Sequence, residues 1–316
     1  MKRILAVDMG GTNSRFARFT ADEENSLTLE QEEWFSTVDV NSFEELLTVA
    51  SSKIQVEEND VLVFGVPGPV EFGHYANLVN VPWKEVDISS LRERVRQKGR
   101  KVYLINDFVS QAFGCLNEKI LDAIEIKSGA TDRQVGLSVV GAGTGLGHCL
   151  LVFNDNGTYT PIPSEAGQAL FPFQTEAEIK YKNFLEEHLK IDFVSKDHIV
   201  SGTGLARLHH YLTGRSISPE EVAKEITPES ETTIWFARFF ARSCRSYALS
   251  FLPICSVLYL TGGVAINLPF LVNNDAFRDE FVQSSKRDIL DRIPIKLNQN
   301  QSLGLWGNAQ YGLEHL

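Results

Sequence analysis

Four short runs of apolar, β-leaning residues stand out along the chain, at residues 3–7, 61–66, 101–105 and 135–140. The first ends at Asp8, passes Gly10 and Gly11, and returns through residues 14–19, where apolar and polar positions alternate as in a half-buried strand. That pattern predicts a β-hairpin with a glycine tip. Residues 61–66 run into Pro67-Gly68-Pro69, which demands a turn. Residues 101–105 stop at Asn106-Asp107, and Ala112, Phe113 and Leu116 then follow at helical spacing. Asp107 is therefore expected where a strand gives way to a helix N-terminus.

The figure recurs in the second half, with an apolar strand at 135–140, a glycine-rich tip at 141–147 and a returning strand at 149–153. Two glycine-tipped hairpins, each heading a long segment, predict a duplicated α/β fold. Residues 177–189 carry a helical apolar pattern, and residues 232–252 read as a long helix whose apolar stripe belongs in a core rather than at a dimer interface. Residues 257–260 form a last buried strand ending in Thr261-Gly262-Gly263. No low-complexity tract, linker or block of like charges divides the chain, so the domain boundary is expected as a tight crossover near Phe108.

At 316 residues, 43% hydrophobic and 22% charged, the chain has room for two domains with substantial cores. Lys and Arg number 30 against 41 Asp and Glu, a formal charge of -11, which disfavours nucleic acid and anionic membrane surfaces as partners. Cys115, Cys149, Cys244 and Cys255 are far apart and form no C-x-x-C pair, so buried free thiols in a reducing cytoplasm are expected rather than a zinc site or disulfides. Lys2 and Arg3 precede an apolar run that stops at Asp8, too short for an export signal. The uncharged stretch 246–274 is long enough to span a bilayer by count, but Pro253, Gly262-Gly263 and Asn267 interrupt it. A cytoplasmic protein is the expectation, with the acidic clusters around Glu23 and Glu57 as solvated surface.

Glycine-rich loops bind phosphate because backbone N–H groups without a neighbouring Cβ can approach the oxygens. The 141–147 loop lacks the G-K-[ST] ending of a P-loop, has glycines at every second position and joins strand to strand, so neither a P-loop nor a dinucleotide site is indicated. By itself it is also compatible with a ligand-free hairpin. The first tip, Asp8-Met-Gly-Gly-Thr-Asn-Ser-Arg15, sets a carboxylate before a glycine pair and follows it with hydroxyl and amide donors. Thr12 and Asn13 can donate to phosphate oxygens while Asp8 faces a hydrated Mg²⁺, an ion that takes few carboxylates and keeps its waters. Taken singly, Asp8 can also be read as a turn cap.

In combination these motifs resemble the bacterial glucokinase family, within the superfamily that also holds hexokinase and actin. The resemblance rests on DMGGTNSR at 8–15, PGPV at 67–70, Asn80-Val-Pro-Trp83, INDF at 105–108, GAGTGLG at 141–147, SEAGQ at 164–168, VSGTGL at 200–205, TGG at 261–263 and GLWGNA at 304–309. It implies two duplicated ribonuclease H-like, actin-like ATPase domains around a central cleft, with a C-terminal helix returning to the first. That gives residues 1–108 plus 300–316 as the smaller domain and 109–299 as the larger. It further implies an ATP-dependent sugar kinase using Mg-ATP, with ATP and a hexose as its small-molecule partners and a homodimer as the assembly members often form. Gly10, Gly11, Thr12, Asn13, Gly143, Thr144 and Gly145 would hold the phosphates, Asp8 the Mg²⁺ through water, and Gly262 and Gly263 would lie beside adenosine.

By the same resemblance Asp107 is the base on the sugar 6-hydroxyl, with Asn80, Asn106, Glu165, Gln168 and Asp197 around the sugar and the two domains closing over it. Two positions depart from the family pattern. Glu165-Ala-Gly-Gln168 has an amide where histidine is usual, and Asp197 stands where the family carries glutamate. Glucose is the expected acceptor; another hexose or an N-acylated aminosugar is the alternative, although the cysteine-rich zinc motif common in kinases of the latter is missing. A non-catalytic sugar-sensing protein is the reading from another class, and the retained Asp107 and both phosphate loops speak against it.

Overall fold

Ile4, Leu5, Ala6 and Val7 are all fully buried, because the strand they belong to, β1 (Lys2–Met9), has a neighbouring strand on each side and apolar clusters on both faces. The molecule is described by a computed structural model over residues 2–78, 81, 83–130, 135–252 and 254–316. Asn80, Pro82 and Pro253, which the sequence singles out, fall outside the described residues.

β1 pairs antiparallel with β2 (Asn13–Ala21), in register Asp8 to Arg15 and Met9 to Ser14, and β2 pairs antiparallel with β3 (Leu27–Ser36). Helix α1 (Phe43–Ser51) leads to β4 (Val61–Val66), which lies parallel to β1. A small separate sheet follows, formed by β5 (Val70–Glu71), β6 (Tyr75–Asn77) and β7 (Glu85–Asp87). Then come α2 (Ser89–Arg96), β8 (Lys101–Asn106), parallel to β4, and α3 (Asp107–Gly114). Leu5, Val7 and Phe64 turn to a core shared with Phe43 and Leu46 of α1 and Leu91 and Val95 of α2. Ile4, Ala6, Ala17 and Phe19 face the other way, onto Leu305, Ala309 and Leu313 of the C-terminal helix (Leu303–Glu314). The period of two along β1 thus feeds two cores.

The second unit begins with β9 (Ala123–Lys127), β10 (Gly136–Ala142), β11 (Leu146–Phe153) and β12 (Tyr159–Ser164). It continues through α4 (Glu176–Leu189), α5 (Lys196–Ile199), α6 (Gly202–Thr213), α7 (Pro219–Glu225) and α8 (Glu231–Ser250). It closes with β13 (Val257–Thr261), α9 (Gly263–Asn267), α10 (Asp275–Phe281), α11 (Arg287–Leu290) and β14 (Ile295–Asn298). Its sheet runs β12-β11-β10-β13-β14-β9, and the first five strands repeat the order and the directions of β3-β2-β1-β4-β8. As the apolar stripe predicts, α8 is a core helix, with Phe236, Phe239, Phe240, Cys244 and Tyr247 buried in one cluster with the sheet.

The chain divides into Met1–Leu121 with Asn300–Leu316, and Asp122–Gln299. The crossover is therefore at 121/122 and not near Phe108. The physical reason is close packing of α3 on the C-terminal helix: a Cβ on Gly307 would collide with the Ser110 carbonyl, and one on Gly114 with the Leu303 carbonyl, so α3 belongs wholly to the first unit. All four cysteines are buried and free. Among the described residues no helix is long and apolar enough to cross a membrane; the uncharged stretch is divided among the end of α8, β13 and α9.

Candidate functional site

At the tip of the first hairpin the Gly10 N–H donates to the Asn13 carbonyl at 3.0 Å, and a Cβ on Gly10 would stand only 2.7 Å from that oxygen, so the turn requires glycine. The Thr37 N–H donates to the Thr12 carbonyl at 2.8 Å, the Ser14 and Thr37 hydroxyls share a hydrogen bond of 2.8 Å, and the Trp83 indole donates to the Thr37 carbonyl at 3.1 Å. The loop is held from behind, while Thr12 and Asn13 remain exposed.

Asp8, half-buried at the end of β1, has its carboxyl pushed above the usual carboxylate range by burial, with the charge of Arg15 pulling the other way. Arg15 is fixed by Glu32, at 2.8 and 3.1 Å, by the Ser302 hydroxyl at 3.0 Å, and by the Trp34 ring 4.6 Å beneath its guanidinium. The C-terminal helix begins beside this carboxylate: a Cβ on Gly304 would lie 3.7 Å from Asp8 Oδ2. Among the described residues no group of three His, Cys, Asp or Glu gathers to hold a metal ion. One buried carboxylate facing a helix start without a side chain suits an ion that keeps most of its water, as Mg²⁺ does.

Asn106 caps α3, its Oδ1 accepting the N–H groups of Phe108 at 2.9 Å and Val109 at 3.4 Å, and its Nδ2 donating to the Gly68 carbonyl at 2.9 Å. Gly68 has φ of 90° and so needs glycine. Asp107 is the first helical residue, half-buried, with its Oδ1 accepting the Phe108 N–H at 3.0 Å. The cap is therefore Asn106, whose amide is largely committed to backbone, and the carboxylate beside it is set at the C-terminal end of a parallel strand, the usual ligand edge of such sheets.

In the second hairpin Gly141 pairs with Gly147 and Ala142 with Leu146, leaving Gly143, Thr144 and Gly145 as the tip. The Gly143 N–H donates to the Gly145 carbonyl at 2.8 Å, the Gly143 carbonyl accepts the Gly202 N–H at 2.9 Å, and a Cβ on Gly143 would meet nothing within 4 Å. Gly262, at φ 86°, is packed so tightly on Ala142 that a Cβ would collide with its carbonyl. Gly262 and Gly263 thus form the start of α9 at the base of the glycine tip.

Asp197, expected at the sugar, fastens the tip: its Oδ1 accepts the Leu146 N–H at 2.6 Å. Gly167 seats on the Leu146 carbonyl, where a Cβ would collide, so the turn carrying exposed Glu165 and Gln168 lies beside the same loop. The Lys196 N–H donates to the Ala169 carbonyl at 2.9 Å and ties that turn to α5. The second unit therefore brings Gly143–Gly145, Gly262, Glu165, Gln168 and Asp197 together, and the first unit Asp8 with the glycine turn. Ser110, Asn308 and Ser302 were not legible as site-related. Only Asn308 carried a signal, an amide between small residues in the GLWGNA motif.

The family model described as Glucokinase matches residues 5–315. The glucokinase of Nostoc punctiforme is 26% identical, with 98% of each chain covered. A glucokinase crystal structure from an Antarctic psychrotroph is similar with a TM-score of 0.80 at 23% identity, covering 99% of each chain. That of Balamuthia mandrillaris glucokinase in complex with glucose has a TM-score of 0.76 at 18% identity, covering 100% of this chain and 94% of the other. With a family match that runs from β1 to the end of the C-terminal helix, the chain belongs to the glucokinase family.

Proposed function

We propose that the protein transfers the γ-phosphoryl group of ATP to the 6-hydroxyl of glucose, with Asp107 as the base. The observation that carries this is the half-buried Asp107 carboxylate at the first position of α3, beside a cap that fixes its backbone. Asp107 takes the proton of the 6-hydroxyl as that oxygen bonds to the γ-phosphorus and the bond to the departing ADP oxygen breaks. A loose transition state of this kind needs positioning and charge neutralisation more than covalent help. Thr12 and Asn13 donate to phosphate oxygens, as do the backbone N–H groups of Gly10–Gly11 and Gly143–Gly145. Mg²⁺, when bound, offsets charge on those oxygens, and Asp8 would hold it through water. Gly262 and Gly263 flank the nucleoside, and Glu165, Gln168 and Asn80 meet the sugar hydroxyls. The repeated strand order of the two sheets supports duplicated ribonuclease H-like domains.

A second reading, a kinase for another hexose, is favoured by one observation: Asp197 is bonded to the Leu146 amide, which removes an acceptor lone pair from the sugar side. Both readings are tested by ADP release from Mg-ATP with glucose, mannose, fructose, galactose, glucosamine, N-acetylglucosamine and N-acetylmannosamine. The expected outcome is glucose-dependent ADP release that falls by a factor of about 10² to 10⁴ in Asp107→Asn. A preference for another sugar makes Gln168 and Asp197 the specificity positions, and no sugar-dependent release overturns the kinase reading.

A further inference from the structure

Asn308 is fully buried in the C-terminal helix, where an amide is tolerated only when its polar atoms are used. Its Nδ2 donates to the Val7 carbonyl at 2.8 Å, and the Ser110 hydroxyl donates to its Oδ1 at 2.5 Å. The same hydroxyl lies 3.3 Å from the Asn106 carbonyl one turn back along α3. Val7 immediately precedes Asp8, and Asn106 immediately precedes Asp107. Gly65 of β4, the strand between β1 and β8, passes under the pair: a Cβ there would stand 2.6 Å from Ser110 Oγ and 2.7 Å from Asn308 Nδ2. The missing side chain at residue 65 is what admits two polar groups into this core.

We infer that Asn308, acting through Ser110, is a positioning residue for phosphoryl transfer, setting the spacing between the base Asp107 and the cation-holding Asp8. The inference rests on the roles given to those two carboxylates above. An apolar side chain of similar volume would fill the space but would take from the Val7 carbonyl and the Ser110 hydroxyl the amide that joins the two segments carrying Asp8 and Asp107.

The test uses Asn308→Leu and Ser110→Ala, each alone and combined with Asp107→Asn, with kcat, glucose KM and Tm measured on the full chain. Small misplacement of reacting groups is costly, so Asn308→Leu is expected to lower kcat about a hundredfold and Ser110→Ala about tenfold, with glucose KM within about twofold. Neither should lower the residual rate of Asp107→Asn further, because the carboxylate they position is gone. Ser110→Ala removes a single oxygen and keeps the test open if Asn308→Leu does not fold. A drop in Tm with unchanged kcat at a temperature where the variant is folded overturns the inference, as does an equal loss in the Asp107→Asn background. Full turnover by Asp107→Asn alone removes the base assignment, and the inference falls with it.

Discussion

Asp197 reaches back from α5 to accept the Leu146 amide at 2.6 Å, and the same carboxylate oxygen stands 2.5 Å from where a Cβ on Gly145 would be. A charge-assisted bond to one backbone N–H of a glycine tip restrains a loop that has no side chains of its own to pack. Asp197→Ala is expected to raise the KM for ATP about tenfold, the equivalent of one such bond, while glucose KM changes less. Asp197→Asn keeps an acceptor oxygen and should keep most of the affinity. Initial rates across ATP and glucose concentrations separate the two effects, and a change confined to glucose KM would return Asp197 to the sugar.

Gly304 and Gly307 are three residues apart in one helix and predict opposite results. A methyl on Gly307 runs into the Ser110 carbonyl, so Gly307→Ala should cost about 3 kcal/mol in urea denaturation, at the upper end of overpacking penalties.

A methyl on Gly304 finds only ordinary contact, 3.7 Å from Asp8 Oδ2. Gly304→Ala should leave stability unchanged yet crowd the face of the carboxylate. The expected result is a higher Mg²⁺ requirement, read from rates at fixed ATP and rising Mg²⁺.

His148 is buried against Tyr247, ring centroids 4.6 Å apart, with neither ring nitrogen hydrogen-bonded. Burial, with the charge of Lys196 adding to it, pushes the imidazole down to about 3. The unfolded chain takes up this proton near pH 6.5 and the folded one does not, so the stability is complete above pH 6.5 and is lost as pH falls toward 3. Between pH 7 and pH 5 the loss from this residue is about 2 kcal/mol. His148→Phe should flatten that part of the curve, measured as the difference in urea midpoints at the two pH values.

Arg242, 2% exposed, is gripped on both edges, by Glu178 at 2.7 and 3.0 Å and by Glu280 at 2.9 and 3.2 Å. Removing this cation leaves buried Glu178 without the guanidinium that pairs it, while Glu280 keeps Arg245 at 3.0 Å. Arg242→Met should lose about 3 to 5 kcal/mol, and Arg242→Lys should not restore it, since a lysine cannot donate along two edges. Thermal and urea unfolding of both variants check this.

The two hairpins were legible because a glycine pair or run between apolar strands is a local signal, and the start of α3 because Asn106 and Asp107 sit at a visible change of period. β12 was not legible. It carries Pro161 and Pro163 and survives as a strand because it lies at a sheet edge, where a missing N–H can face outward. β3 was obscured by its polar residues 30–33, which an edge strand also tolerates. The unit boundary was misplaced because what draws α3 into the first unit is its fit against Gly307, far away in sequence. The bond from Asp197 to the loop was not legible for a similar reason: spacing shows that a carboxylate is present, and only the fold shows which backbone amide it reaches.

The helix that covers Ile4, Ala6, Ala17 and Phe19 comes after every strand of both units in chain order. Every strand of the first unit leaves the ribosome before it, followed by the whole of the second unit, and through that interval Ser110 and the Val7 carbonyl lack their Asn308 partner. Joining residues 7 and 308 is a long-range closure, the kind that sets the pace of folding. The growing chain therefore carries Asp107 and both glycine loops well before the first unit can hold Val7 and Ser110 in register, and the emergence of this helix is the step that completes the unit.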